Sequence, residues 1–375
     1  MSKDHYYDFE EEFHSPSERK LARNERKIAV EKDRSKYKKT DTDQRKKNDS
    51  LKQEDFSHLT KGRILAINPE GIFVDASGQN WICQLKGSLK QVKSRLKNLV
   101  AVGDFVFFEK KDNGTGSICH VEERRSILSR ADNLLRRKQQ LIAVNIDQVI
   151  ITCSVVFPAL KPHLVDRYVI ATLKGNMTPI IAINKIDLLK ENPDIDPVTL
   201  EVEIYMYKEF LKAYSALGIP VVSLSIHTGE GLCELKALMH GKTSVFSGQS
   251  GVGKSSLINA MTGSSLKTGA VVGKTNKGSH TTTTTHLLPI EGEGFCIDTP
   301  GIKSFGIWDL EEKNLQAYYP EFLPFAEKCK FPDCSHRNEP DCAVKKAVDE
   351  EKISELRFAS YCALLASLAE EHRNR

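Results

Sequence analysis

A run of about 18 apolar residues is absent from this 375-residue chain, which excludes a simple membrane-spanning helix. No apolar segment of the secretory type follows Met1, so a cytoplasmic protein is expected. A disulfide framework is equally poorly supported. The nine cysteines are an odd number, and six of them (Cys83, Cys119, Cys153, Cys233, Cys296, Cys362) lie scattered among apolar residues as small core hydrophobes would. A dominant charge is missing too, because the net charge is only +4. Hydrophobic content of 40% and charged content of 28% describe an ordinary soluble chain, long enough for two or three domains. There is no internal repeat.

The charge is unevenly distributed. Residues 17–47 hold thirteen Lys/Arg against six Asp/Glu and few aliphatics. Such a stretch cannot bury enough apolar surface to offset its ordering entropy, so residues 1–55 are expected to form a disordered basic arm. A solvated linker and an electrostatic tether to nucleic acid both fit it.

Between residues 56 and 130 short apolar runs alternate with Gly/Asn/Asp punctuation: Arg63–Ile67, Gly71–Val74, Trp81–Leu85, Val102–Phe108 and Gly116–Ile118. Five short strands in so few residues suit a small closed barrel of the OB type. Lys86, Lys90, Lys93, Arg95 and Lys97 fall between its third and fourth strands, as a solvated face or an RNA contact. From residue 131 to 310 the texture changes to buried-type strands separated by helical stretches: Val149–Thr152, Pro179–Ile183, Pro220–Val222, Thr243–Ser247 and Phe295–Ile297. That alternation predicts a mostly parallel sheet covered on both faces. Residues 311–375 read as a small helical domain.

The chemistry-bearing motifs lie in the α/β region. Gly248-Gln249-Ser250-Gly251-Val252-Gly253-Lys254-Ser255 has the phosphate-loop spacing, follows an apolar strand and opens a helix at Ser256. Its glycines let backbone N–H groups curl around phosphates, Lys254 is placed to reach the β- and γ-phosphates, and the Ser255 hydroxyl to ligate Mg²⁺. Asn184-Lys185-Ile186-Asp187 follows another buried strand. A carboxylate at Asp187 can accept from guanine N1–H and the exocyclic amine. Adenine has no N1 donor, so ATP would leave that charge unpaired. Ser225 and Ile226, heading the segment that ends at Gly231, follow a further strand and suit backbone contacts to guanine O6. GTP is therefore expected over ATP.

Asp298-Thr299-Pro300-Gly301 ends a strand, which places Asp298 near Mg²⁺ and the Gly301 amide near the γ-phosphate. Thr281 or Thr282, in a threonine run whose residues 283–285 suit a strand, would complete the Mg²⁺ shell. Ile302 stands where Ras-type enzymes carry the glutamine that orients water, so intrinsic hydrolysis is expected to be slow. His280 is the candidate within the chain for that role. Ile302 also leaves open a module that binds GTP without hydrolysing it and only gates RNA binding.

Cys329, Cys334, His336 and Cys342, spaced C-x4-C-x-H-x5-C, offer three thiolates and one imidazole. Four protein ligands match a closed structural zinc site and leave no open position for catalysis.

These motifs run in an unusual order. The base-reading motif comes first, then the phosphate loop, then the γ-phosphate sensor, whereas an ordinary GTPase begins with the phosphate loop. With the barrel and the C-x4-C-x-H-x5-C knot, the chain from about residue 60 onward resembles the circularly permuted, ribosome small-subunit-dependent GTPases, the RsgA family. The resemblance implies an OB-like β-barrel, an α/β circularly permuted P-loop GTPase domain and a small helical C-terminal zinc-binding domain. It implies GTP hydrolysis late in maturation of the 30S ribosomal subunit, contact with 16S rRNA, Mg²⁺ with GTP, and one zinc per chain in a monomer. The basic arm falls outside the shared core, and Ser279 stands where the family often carries arginine.

Overall fold

The computed structural model describes residues 56–90, 98–131, 139–190, 195–263, 285–290, 293–298 and 310–373. Five strands come first: β1 (Thr60–Asn68), β2 (Gly71–Ala76), β3 (Gln79–Leu85), β4 (Phe105–Lys110) and β5 (Thr115–Val121). They pair in the order β1-β2-β3-β5-β4, and β4 returns to β1 through Thr60↔Phe108 to Arg63↔Phe105, which closes a barrel. All contacts around it are antiparallel except β3 against β5. Alternation sends Ile64, Val74, Cys83, Val106, Phe108 and Ile118 into a fully buried interior.

The fourth strand begins at Phe105, three residues later than the apolar run suggests. Asp104 is the reason. Its buried carboxylate accepts the Ala101 amide at 2.8 Å and is held by both Arg124 Nε and Nη2, at 2.7 and 2.8 Å, which turns the backbone before the ladder starts.

A two-stranded hairpin, β6 (Ile127–Ala131) and β7 (Gln139–Val144), follows the barrel. Then come β8 (Gln148–Ser154), α1 (Pro162–Lys174), β9 (Thr178–Asn184), α2 (Pro197–Ser215), β10 (Val221–Ser223) and α3 (Leu232–Met239). β11 (Thr243–Gly248), α4 (Lys254–Thr262), β12 (His286–Pro289) and β13 (Phe295–Asp298) complete the α/β part. The sheet order is β10-β9-β8-β11-β13-β12, parallel except for β12.

Residues of β8 show why the strands read as unbroken apolar runs. Val149 and Ile151 face the core shared with Val165, Val169, Phe210 and Tyr214 of α1 and α2. Ile150 faces the opposite core with Leu235, Met239, Leu257 and Ile258 of α3 and α4. A strand buried on both faces has no polar side to present. Pro162 and Pro197 occupy the first turns of α1 and α2, and Asp196 caps α2 by accepting the Thr199 amide at 2.9 Å.

Two junctions position these parts. β1 of the barrel pairs with β12 at Ala66↔His286, so barrel and parallel sheet form one continuous eleven-stranded sheet. Beside it Arg63 lies between the rings of Phe105 and Phe295, 5.1 Å from each centroid, and donates to the Asn145 carbonyl and Thr243 Oγ1.

The second junction seats the C-terminal part, which includes α5 (Ala343–Asp349) and α6 (Glu355–Arg373). Its apolar core, with Leu315, Tyr319, Phe322, Val344, Tyr361 and Leu365, takes in Ile170 from α1. At the centre the buried Asp166 of α1 accepts from Tyr214 at 2.6 Å, from Tyr319 at 3.2 Å, and from Ser360 and Arg357. Arg357 also donates to Glu321 at 2.8 Å and lies over the Tyr319 ring at 4.3 Å. Burial and the adjacent Asp166 charge hold the Tyr214 phenol well above its ordinary pKa, so it acts only as a donor.

Among the described residues no helix is long and apolar enough to cross a membrane. The thiols of Cys83 and Cys153 are pushed up by burial, to about 11 and about 12, and stay protonated as core residues do.

Candidate nucleotide site and metal centre

The carboxyl ends of parallel strands are where open α/β sheets bind ligands. Here β9 ends at Asn184, β11 at Gly248 and β13 at Asp298, so the three motifs separated in sequence emerge at the same edge of the sheet, with β8 between β9 and β11. The buried Asn184 joins the first two. Its Nδ2 donates to the Val252 carbonyl of the phosphate loop at 2.8 Å, while its Oδ1 accepts the Lys185 amide at 2.8 Å and the Ile226 amide at 3.4 Å. One side chain thus ties the base-reading loop, the phosphate loop and the loop after β10. Ser225 is buried beside it, its Oγ accepting the Thr228 amide at 3.2 Å. Lys185 takes a left-handed φ of 66°, and Asp187 stands in the single helical turn that follows.

The phosphate loop is bound to the sheet beneath it. A Cβ on Gly248 would fall 2.0 Å from the Thr152 carbonyl oxygen, and one on Gly253 would fall 2.4 Å from Asn184 Nδ2. Both glycines also have positive φ, of 142° and 98°, so no other residue fits either position without displacing a neighbour. Val252 is buried, whereas Gly251, Ser255 and Ser256 are exposed at the mouth. Lys254 donates to the carbonyls of Gly248 at 2.8 Å and Gln249 at 2.7 Å, the latter followed by Ser250 at the loop's crest. Burial lowers its pKa, so its ammonium gains from a nearby anion.

Asp298 closes β13 opposite His286 of β12. The candidate catalytic residues His280 and Gly301, the candidate Mg²⁺ ligands Thr281 and Thr282, and Ile302 lie outside the described residues, as do Lys93, Arg95 and Lys97. Of the threonine run only Thr285 is described, and it precedes the strand. Pairing starts at His286, where partners on both sides, Ala66 and Asp298, become available.

The second site is a cluster of Cys329, Cys334, His336 and Cys342, whose ligand atoms lie within 4.8 Å of one another. Cys329 Sγ and Cys342 Sγ are 3.9 Å apart, and His336 Nδ1 lies 3.7 and 3.4 Å from them. A tetrahedron with metal–sulfur bonds of about 2.3 Å has edges of about 3.8 Å, so the four donors fit one thiophilic ion. Gln316 Oε1 lies 3.1 Å from His336 Nε2, an acceptor that keeps the proton there and turns the Nδ1 lone pair toward the sulfurs. Glu339 shapes the turn between ligands by accepting from Ser335 Oγ and from the amides of Ser335, Arg337 and Asn338, and these bonds lower its pKa to about 2.

Several contributors were not evident from sequence. Gln316, thirteen residues before the first cysteine, and the Asp166–Arg357 pair carry no local signature. Asn184 was legible as part of a motif, but its role as a three-loop hub was not.

Strand order and motif order together define a circularly permuted GTPase, a GTP-hydrolysing enzyme whose base-reading half precedes its phosphate loop. The RsgA GTPase family matches residues 121–308, and the chain belongs to that family. It is 37% identical over 291 residues to the small ribosomal subunit biogenesis GTPase RsgA of Bacteroides fragilis, covering 77% of this chain and 90% of the relative. It is 42% identical over 282 residues to the Chlorobaculum parvum protein of the same name, covering 73% and 86%. Among solved structures, YjeQ from Thermotoga maritima superposes with a TM-score of 0.65 at 31% identity, over 83% of this chain and 99% of that one. The circularly permuted GTPase YloQ gives 0.61 at 26% identity, over 85% and 98%.

Proposed function

We propose that this protein is a GTPase of small ribosomal subunit biogenesis, which hydrolyses GTP to GDP and phosphate when docked on the 30S particle. The observation that carries this reading is the Asn184 hub, which holds the base loop against the phosphate loop in a fold shared with relatives named for that role. In it, Asn184, Lys185 and Asp187 read guanine with the backbone of Ser225 and Ile226. Residues 248–256 enclose the phosphates, and Lys254 neutralises charge that develops between β- and γ-phosphates.

Ser255, Asp298 and one of Thr281 and Thr282 hold Mg²⁺, which supplies charge neutralisation on the phosphate oxygens. The Gly301 amide faces the γ-phosphate, and His280 orients the attacking water in place of the glutamine that Ile302 replaces. Cys329, Cys334, His336 and Cys342 hold a structural zinc, because the set is closed and its imidazole is already oriented by Gln316.

The same reading divides the chain into the arm 1–55, an OB-fold barrel 56–130, the permuted GTPase domain 131–310 and the zinc-binding domain 311–375. Barrel strand order and closure support the OB assignment. Barrel and zinc domain contact 16S rRNA on either side of the nucleotide site, in a monomer acting in the cytoplasm. The test is GTP turnover by the purified protein with 30S, 50S and 70S particles. Stimulation by 30S above the other two is expected; turnover indifferent to all three would overturn the 30S-docked reading, and no turnover with any of them would favour a non-hydrolysing gate.

A further inference from the structure

The loop between β8 and α1, residues 155–161, belongs to none of the recognised nucleotide motifs, yet it is bonded to one of them and runs beside another. The Lys185 ammonium donates to the Phe157 carbonyl, which restrains the base-reading loop. Ser154 Oγ, at the end of β8, donates to the Pro158 carbonyl at 2.7 Å. A Cβ at Gly251 of the phosphate loop would rest 3.7 Å from Pro158 Cδ, so the two loops run alongside each other. Below them a cavity of about 20 Å³ is lined by Ser154, Ala159 and Lys161 on one side and by Gln249 and Val252 on the other.

At the crest sits Phe157, whose exposure of 60% is large for an aromatic residue. Its φ of 44° is an outlier for a bulky side chain, and its own carbonyl and that of Pro158 are both hydrogen-bonded. Such local strain at the rim of a ligand site is retained where it places a group that the ligand uses.

We propose that residues 155–161 form an additional guanine-nucleotide-binding element, in which the Phe157 carbonyl sets the position of Lys185 and the Phe157 ring covers the sugar side of the bound nucleotide. The inference rests on the GTP reading above. A ring at the mouth slows departure of the nucleotide, and its carbonyl keeps the lysine stem from swinging out of the pocket. Phe157 is therefore a binding and positioning residue of the proposed reaction.

The experiment uses the full chain and a fluorescently labelled GDP, with release followed by stopped flow and KM and kcat for GTP measured in parallel. Phe157→Ala is expected to speed release by about fivefold, the change falling on KM rather than kcat, and Phe157→Tyr to restore the slow rate. Thermal melting checks that each variant is folded. If the alanine variant is unstable, Phe157→Leu keeps the apolar bulk, and release slower than about twofold above wild type in that variant refutes the need for a ring. Unaltered release in a folded Phe157→Ala protein overturns the inference. Loss of 30S-stimulated turnover with unaltered release also overturns it, by assigning the ring to the particle. Failure of the wild-type protein to bind guanine nucleotides would instead remove the GTP reading, and this inference with it.

Discussion

The nucleotide site and the seat of the C-terminal module are both polar, but their polar groups are satisfied in opposite ways. Around the phosphate loop, ammonium groups rest on main-chain carbonyls, Lys254 on Gly248 and Gln249 and Lys185 on Phe157. These acceptors are neutral, and a phosphate oxygen competes well with them for the ammonium groups because a charged acceptor makes a stronger bond. At the module's seat, Asp166 receives four side-chain donors and its partner Arg357 is shared with Glu321. No ligand offers better terms there. The first arrangement is built for exchange and the second for permanence, so a nucleotide-driven change is expected in the loops and not at the Asp166 junction.

The comparison can be broken from either side. At the nucleotide site the largest effect is expected for Lys254→Ala, which removes the cation proposed to face the γ-phosphate. GTP turnover should fall by about 100-fold or more while the melting temperature changes little. Asp187→Ala should come next, with GTP preference over ATP collapsing by about two orders of magnitude in competition binding.

On the permanent side, Arg357→Met leaves the Asp166 charge buried without its ion partner. It should cost about 3–5 kcal/mol in denaturant unfolding, while GDP affinity in the folded fraction is retained. Adding Asp166→Asn should recover part of that loss, because the uncompensated charge is then gone. If Arg357→Met weakened nucleotide binding as much as stability, the division between the two regions would be wrong. The smallest change is expected for Gln316→Leu, which removes the acceptor on His336 Nε2. Zinc affinity measured by chelator competition should fall about 10- to 100-fold.

Much of the nucleotide site was legible because its chemistry is local. Glycines, a lysine and a serine at fixed spacing must form the same loop wherever they occur after a strand, and the cysteine and histidine spacing likewise closes on itself within a few turns. Barrel strands followed from alternation, with the start of β4 displaced by Asp104, whose fixed position depends on Arg124 twenty residues on. Contacts between remote elements were not legible. Asp166 and Arg357 are 191 residues apart on unremarkable helices, and nothing local distinguishes them from solvated charges. The pairing of β1 with β12 rests on main-chain groups, which carry no side-chain signature at all.

That last pairing has a mechanical consequence. His286 lies between Ala66 of the barrel and Asp298, the carboxyl end of β13. Any shift of β13 along its axis therefore pulls on a ladder rung whose other neighbour is the barrel wall. The barrel is geared to the sheet like a wheel to a rack, and sliding one without turning the other would require that rung to break.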